Sequence, residues 1–278
     1  MNTKELEVFA AKIRLETTKM IGKRGFGHIS GSLSVADVLA VLYGSTMNVR
    51  PDEPDWTGRD KLVLSKGHAG PALYSTLALK GFFPMSELET LNQPGTKLPS
   101  HADKKLTIGV DMTTGSLGQG ASAAAGLALA QKMDELDSRT YLILGDGESN
   151  EGQVWEMALF AAQHKLSNLV AFVDYNKKQL DGTTSDVMEM GDIAAKFETF
   201  GWTACNVDGG CVASIKEVIE KSKSSDKPVC IVLNTVKGAK VPTIANVEYN
   251  HHMVVEGEVY EKALAECVAE LERLEAQA

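Results

Sequence analysis

The sequence has few cysteines, no surplus of positive charge and no long apolar run, and each absence removes a class of protein. Its four cysteines, Cys205, Cys211, Cys230 and Cys267, show no CxxC spacing and fall within or at the ends of expected strands and helices. That pattern disfavours a disulfide scaffold or a zinc site and suits buried thiols in a reducing cytoplasm. With 28 basic against 37 acidic residues the net charge is -9, which argues against nucleic acid or an anionic membrane surface as the main partner. No run approaches the length of a membrane span. The N-terminal MNTKELEVFAAKIRLETTK mixes charge with apolar residues and lacks the uncharged core of a signal peptide. No GxGxxG follows the first strand with an acid about twenty residues on, which disfavours a dinucleotide-binding domain.

What is present is enough for one large core. Of 278 residues 44% are hydrophobic, and no repeat, low-complexity tract or linker divides the chain, so a single domain over 1–278 is expected. Leu6, Phe9, Ile13 and Met20 mark one stripe of a helix that fades at Gly22 and Gly25. A glycine-rich loop, GKRGFGHISGS, is expected next, and then a helix VADVLAVLY capped by Ser34, with Asp37 in the capping-box position and Gly44 at its end. DKLVLS reads as a strand and AGPALYSTLALKG as a helix. From Thr140 the strands TYLILG, NLVAFVDYN, WTACNV and PVCIVLNT alternate with amphipathic helices, and a charged helix closes the chain. That rhythm predicts an α/β fold: a doubly wound, mostly parallel sheet with helices on both faces.

In such sheets ligands collect beyond the carboxyl ends of the strands, where helix N-termini present free amides. YLILGDGESNEG runs a strand into such a place, and an Asp-Gly turn alone would mean little. The next strand ends at Asn176, thirty positions beyond Asp146, the length of one βαβ unit, so both reach the same sheet edge. A carboxylate, an amide oxygen and a nearby backbone carbonyl, that of Lys178, are hard ligands suited to a magnesium ion that also takes phosphate oxygens. Gly145 and Gly147 let a diphosphate lie against the main chain. A second glycine-rich helix start, TTGSLGQGASAAAGLALAQK, offers amides to an anion and a surface for tight packing. Of six histidines, His28, His68, His101, His251 and His252 lie in expected loops. Such histidines are usually just solvated, but imidazoles converging on a cleft bind hydroxyls and move protons near neutral pH. His164, at a helix end, serves as the contrast.

GHISGSLSVADVLAVLYG, LSKGHAGPALY, TTGSLGQG, GDGESNEGQVWEM and VDYNKKQLDG, in this order and spacing, resemble the N-terminal half of transketolase, and the likeness spans nearly the whole chain. The resemblance implies the thiamine diphosphate-binding fold, with the cofactor held through magnesium by Asp146, Asn176 and the Lys178 carbonyl. It implies Gly145 and the loop Gly115, Ser116 and Leu117 beside the diphosphate and ring, and His28, His68, His101 and His251 around the cofactor and sugar. The tryptophan and glycine that flank this last histidine in the family are absent here, and His252 adjoins it. Glu151 matches an acid at the contact between the two halves of the family's cofactor site.

The family moves a two-carbon ketol unit from a ketose phosphate to an aldose, with the hard chemistry done by the cofactor. A second domain of the family supplies a glutamate to the pyrimidine ring. The resemblance therefore implies a split enzyme whose partner is a separate C-terminal-half subunit, in an alpha2beta2 assembly. Two other readings are the alpha subunit of a thiamine-dependent 2-oxo acid dehydrogenase, which the histidine set and TTGSLGQG disfavour, and a non-catalytic subunit that binds a diphosphate. The sugar is left open among pentose phosphates, a branched sugar phosphate and a sulfonated sugar.

Overall fold

The computed structural model describes residues 1–277. Helix α1 (Thr3–Arg24) begins with a capping box between Asn2 and Glu5 and ends at Gly25, whose φ of 91° is the left-handed cap that glycine supplies without strain. Strand β1 (Phe26–Gly27) is followed by two short helices, α2 (Ile29–Leu33) and α3 (Ala36–Val41), and a wide helical turn at Leu42–Thr46. Then come β2 (Lys61–Leu64), α4 (Gly70–Leu79), α5 (Gln119–Met133), β3 (Thr140–Gly145), α6 (Gly152–Gln163) and β4 (Leu169–Tyr175). The chain continues through α7 (Thr184–Val187), α8 (Ile193–Thr199), β5 (Thr203–Asp208), α9 (Val212–Ser222) and β6 (Val229–Asn234). It closes with α10 (Pro242–Ala245), β7 (Met253–Val254) and α11 (Gly257–Glu275).

Five strands form one parallel sheet in the order β2-β3-β4-β6-β5. Both faces are covered, as the continuous apolar strands predict. Tyr141, Ile143, Val170 and Phe172 point into one core, with α1, α3, α4 and α9; Leu142, Leu144, Ala171 and Val173 point into the other, with α5, α6 and α8. Phe172 is fully buried, and its loss to alanine would cost about 3–5 kcal/mol.

The structure corrects three local expectations. GHISGS is no loop: Ile29–Leu33 is helical and buried. Ser34 does not cap the next helix, because its hydroxyl donates to Asp174 at 2.7 Å, and Asp37 forms a buried pair with Arg14 instead of completing a capping box. Ile29–Thr46 is apolar enough to count as a membrane span by composition, but 83% of it is buried inside the protein and it is broken into three helical pieces. All four cysteines are free thiols, with Cys205 and Cys211 only half-buried. A feature the sequence did not suggest is a two-stranded ribbon in which Phe26 pairs with Val254 and Gly27 with Met253.

Candidate functional site

Strands β3 and β4 run in parallel register with Gly145 opposite Asp174, so the turns that follow them open on one edge of the sheet. Asp146 and Asn176 come off these ends, are both buried, and line one cavity of about 280 Å³. A larger groove of about 610 Å³ lies between β5 and α9, but its charged pair Glu217 and Lys221 is a surface ion pair and no buried titratable group converges there.

The Asp146 carboxylate accepts from the amides of Gly147 at 2.8 Å and Lys177 at 2.6 Å. Burial, then the negative charge of Asp174, push its pKa up to about 6, against the pull of those amides and of Lys66. The two nearby ammonium groups are otherwise engaged: Lys66 bonds Asp174 at 2.5 Å, and Lys237 bonds the Lys178 carbonyl at 3.1 Å. A buried carboxylate without a direct counter-charge favours a cation beside it. Asn176 donates its amide to Asp174 at 3.0 Å, while its Oδ1 accepts only the Lys178 amide at 3.1 Å. The Asp146 carboxylate, Asn176 Oδ1 and the Lys178 carbonyl therefore form a set of hard oxygens at one cavity.

Beneath them Asp174 is fully buried and accepts from Lys66, Ser34, Asn176 and Thr235. Burial pushes its carboxyl up, but the Lys66 ammonium and the hydrogen bonds outweigh it and hold the group below the usual range. Lys237 also donates to His251 Nδ1 at 3.0 Å. Its pKa is lowered to about 8 by burial and by Lys66, with Asp146 and Asp174 opposing.

The four predicted pocket histidines come together from four separate loops. The His28 ring lies 5.4 Å from His68, 5.6 Å from His101 and 5.4 Å from His251, and His68 lies 4.8 Å from His251. The β1–β7 ribbon explains how positions more than two hundred residues apart meet, since His28 follows β1 and His252 precedes β7. Burial first, then His252 and His101, lower His28 to about 4. Burial and Lys237 lower His251 to about 3, burial and Lys66 hold His68 well below its usual value, and burial alone lowers His101. All four are neutral at pH 7, so each ring offers one donor and one acceptor. His251 lines the cavity, whereas His252 is exposed on the outer side, 4.7 Å from His28 and 5.7 Å from Phe26. His164 stands apart at the far end of α6, roughly 18 Å of helix away from the site.

The glycines divide by cause. Beside Gly145 the nearest atom to an added Cβ is 3.7 Å off, but its amide donates to Glu148 and its carbonyl accepts from Ser149; at Gly147 a Cβ would sit 2.8 Å from that of Gln179. Gly145 is thus the less crowded of the two, and Gly147 is fixed by packing. Gly115, with φ 145°, turns the chain against His101, and Gly120 lets α5 close on Ser65. Leu117 and Glu151 line the cavity mouth, and Ser116 is exposed beside them. Lys66, Lys237 and Glu148, which line the cavity, and Asp174 beneath it are candidate-site residues that the sequence alone does not single out. A lysine at a strand end in SKGH and another just after PVCIVLNT are the signals it holds, but only the strand order places β6 next to β4.

Residues 6–263 match the family model for the transketolase thiamine diphosphate binding domain. The chain is 49% identical, over 94% of its length and 96% of the relative's, to SqwG, a subunit of the 6-deoxy-6-sulfo-D-fructose transketolase of Clostridium sp. (strain MSTE9). It is 38% identical, over 99% of its length and 98% of the relative's, to one of the subunits of the apulose-4-phosphate transketolase of Phocaeicola vulgatus. The transketolase of Campylobacter jejuni superposes with a TM-score of 0.90 at 29% identity, covering 99% of this chain and 46% of that one. The chain belongs to the transketolase family, as its thiamine diphosphate-binding domain.

Proposed function

We propose that the chain is the cofactor-anchoring subunit of a two-polypeptide transketolase that moves a two-carbon ketol unit from a ketose phosphate to an aldose. The observation that carries the reading is the meeting of four neutral histidines, two of which, His68 and His251, line one cavity with Asp146 and Asn176. Asp146, Asn176 Oδ1 and the Lys178 carbonyl would hold magnesium, because they are hard oxygens and Asp146 is buried without a direct counter-charge. Lys237 and His68 would face the diphosphate, with Gly145, Gly115, Ser116 and Leu117 along the cofactor. Bound thiamine diphosphate would supply the carbon nucleophile and electron sink. The protein's share is to orient the sugar and move its protons: His28 and His101, neutral at pH 7, can each accept a proton from a hydroxyl at one ring nitrogen while donating from the other, and His251, whose Nδ1 accepts from Lys237, would donate from Nε2.

The relatives named as transketolase subunits, matched over 96% and 98% of their own length, support a partner resembling the C-terminal half. An alpha2beta2 assembly with Glu151 at the contact fits the exposed Leu117, Leu159 and Phe160 near this edge and on α6. Pentose phosphates and apulose 4-phosphate are the ketose phosphates to try, and the 49% relative adds the sulfonated ketose 6-deoxy-6-sulfo-D-fructose, in which a sulfonate stands where the phosphate would be.

Co-expression with such a partner, followed by a coupled ketol-transfer assay, tests the reading. Transfer by the assembly and none by the single chain is expected. Release of carbon dioxide from a 2-oxo acid would instead favour a dehydrogenase, and cofactor binding without turnover on any sugar would favour a non-catalytic subunit.

A further inference from the structure

Glu148 lies two residues beyond Asp146, is 2% exposed, and bonds no cation. Its carboxylate takes three neutral donors from three separate loops. Oε1 accepts the Ser65 hydroxyl and the Gly118 amide at 2.8 Å, and Oε2 accepts the Gly145 amide at 3.0 Å. Ser65 follows β2 and leads into His68; Gly118, with φ 83°, is the left-handed N-cap of α5 directly after Leu117; Gly145 ends β3 and leads into Asp146. A buried carboxylate costs stability unless its lone pairs are filled, so an apolar or absent side chain would be the cheaper way to fill this space. Burial does raise its pKa, with the three donors and Lys66 opposing.

Resting on the proposed function, we propose that Glu148 is the positioning residue of the cofactor cradle: it ties the His68, Leu117 and Asp146 loops into one spacing and through them sets the affinity for thiamine diphosphate. An acceptor-only group is needed because all three partners are donors. Glutamine would offer one oxygen and turn its NH2 toward a backbone N–H, leaving at least one donor without an acceptor. The Gly145 amide is also withdrawn from the ligand by this bond, so diphosphate oxygens must find other donors.

A residue that merely stiffened the fold would lower the melting temperature and leave the affinity of the folded protein alone. The assembly with its partner subunit is therefore titrated calorimetrically with thiamine diphosphate and magnesium, and amide exchange is followed without cofactor. Glu148→Gln is expected to weaken binding by about tenfold or more. Its melting temperature should stay within a few degrees of wild type, and exchange should quicken at Gly118 and Gly145. Ser65→Ala, which releases the His68 loop alone and leaves the Gly118 and Gly145 amides held, should weaken binding less than Glu148→Gln does. Should Glu148→Gln not fold, Glu148→Asp keeps the charge but is one methylene short of spanning both amides, and the same loss is expected. Wild-type affinity in either folded variant, or unchanged exchange at the two amides, overturns the inference. A wild type that binds no cofactor refutes the proposed function instead, and the exchange data still decide whether Glu148 ties the loops.

Discussion

Both ends of the five-stranded sheet bury charge, yet they use it differently. At the amino end Asp111 meets the Arg59 guanidinium through both oxygens and also accepts the Leu62 amide, while Asp60 accepts the amides of Asn48 and Arg139. Each carboxylate there has its partners within the chain. At the carboxyl end Asp174 is satisfied by Lys66, but Asp146 is pushed up to about 6 and four imidazoles are held neutral together, two of them, His68 and His251, lining its cavity. A closed polar network stabilises the fold; one left short of a cation and rich in unused donors and acceptors is built for something that arrives later.

The largest expected effect breaks the comparison at the amino end. Asp111→Ala strands the buried Arg59 and should cost about 3–5 kcal/mol in denaturant unfolding, with cofactor affinity of the folded protein unchanged. Loss of cofactor binding there would erase the distinction between the two ends. Next comes Asp146→Ala, which should weaken magnesium-dependent binding of thiamine diphosphate by roughly a hundredfold, about 2.8 kcal/mol. Its stability should hold or rise, since a buried carboxylate short of a counter-charge is removed.

His28→Ala, His68→Ala and His101→Ala should each reduce kcat/KM by more than about tenfold, near 1.4 kcal/mol, whereas His164→Ala should not. Loop variants as active as the His164 variant would return these residues to ordinary solvated histidines. The smallest effect is on pH dependence. His28 near 4 and His251 near 3 in the folded chain, against 6.5 unfolded, mean that between pH 6.5 and 4 the unfolded state binds more protons. Stability is therefore full above pH 6.5 and falls as pH drops below it. Asp146, raised from 3.8 to about 6, works the other way over part of that window, as do the buried carboxyls of Asp60, Asp111 and Glu148, so the histidines are read by difference. From pH 7 to pH 5 a His251→Phe variant of the cofactor-free protein should lose less melting temperature, or gain more, than the wild type. Equal profiles for the two would contradict the neutral cluster.

How far the sequence can be read follows from which interactions are local. Strands β3 and β4 carry the apolar runs 141–144 and 169–173 shortly before Asp146 and Asn176, so their burial, direction and shared edge are all legible. The pairing of Ser34 with Asp174, 140 positions away, is not, because a serine ahead of an apolar helix looks the same whether it caps locally or reaches across the core. The two-residue strands of the β1–β7 ribbon are too short to show periodicity, which leaves the choice between His251 and His252 open until the ribbon sets their sides. Lys237 follows β6, and only the sheet order, with β6 beside β4, brings it to Lys178 and His251. The family resemblance reaches past these gaps because it matches loops directly, without needing the sheet order.

The central claim is that the open end of the sheet holds a metal through oxygens of this chain. The most direct measurement is a crystal of the assembly grown with thiamine diphosphate and manganese in place of magnesium, with an anomalous difference map at the manganese edge. The account predicts one strong peak shared by the Asp146 carboxylate, Asn176 Oδ1 and the Lys178 carbonyl, with the diphosphate completing the shell. Cofactor bound with no peak there, or a peak held by other residues, would contradict it.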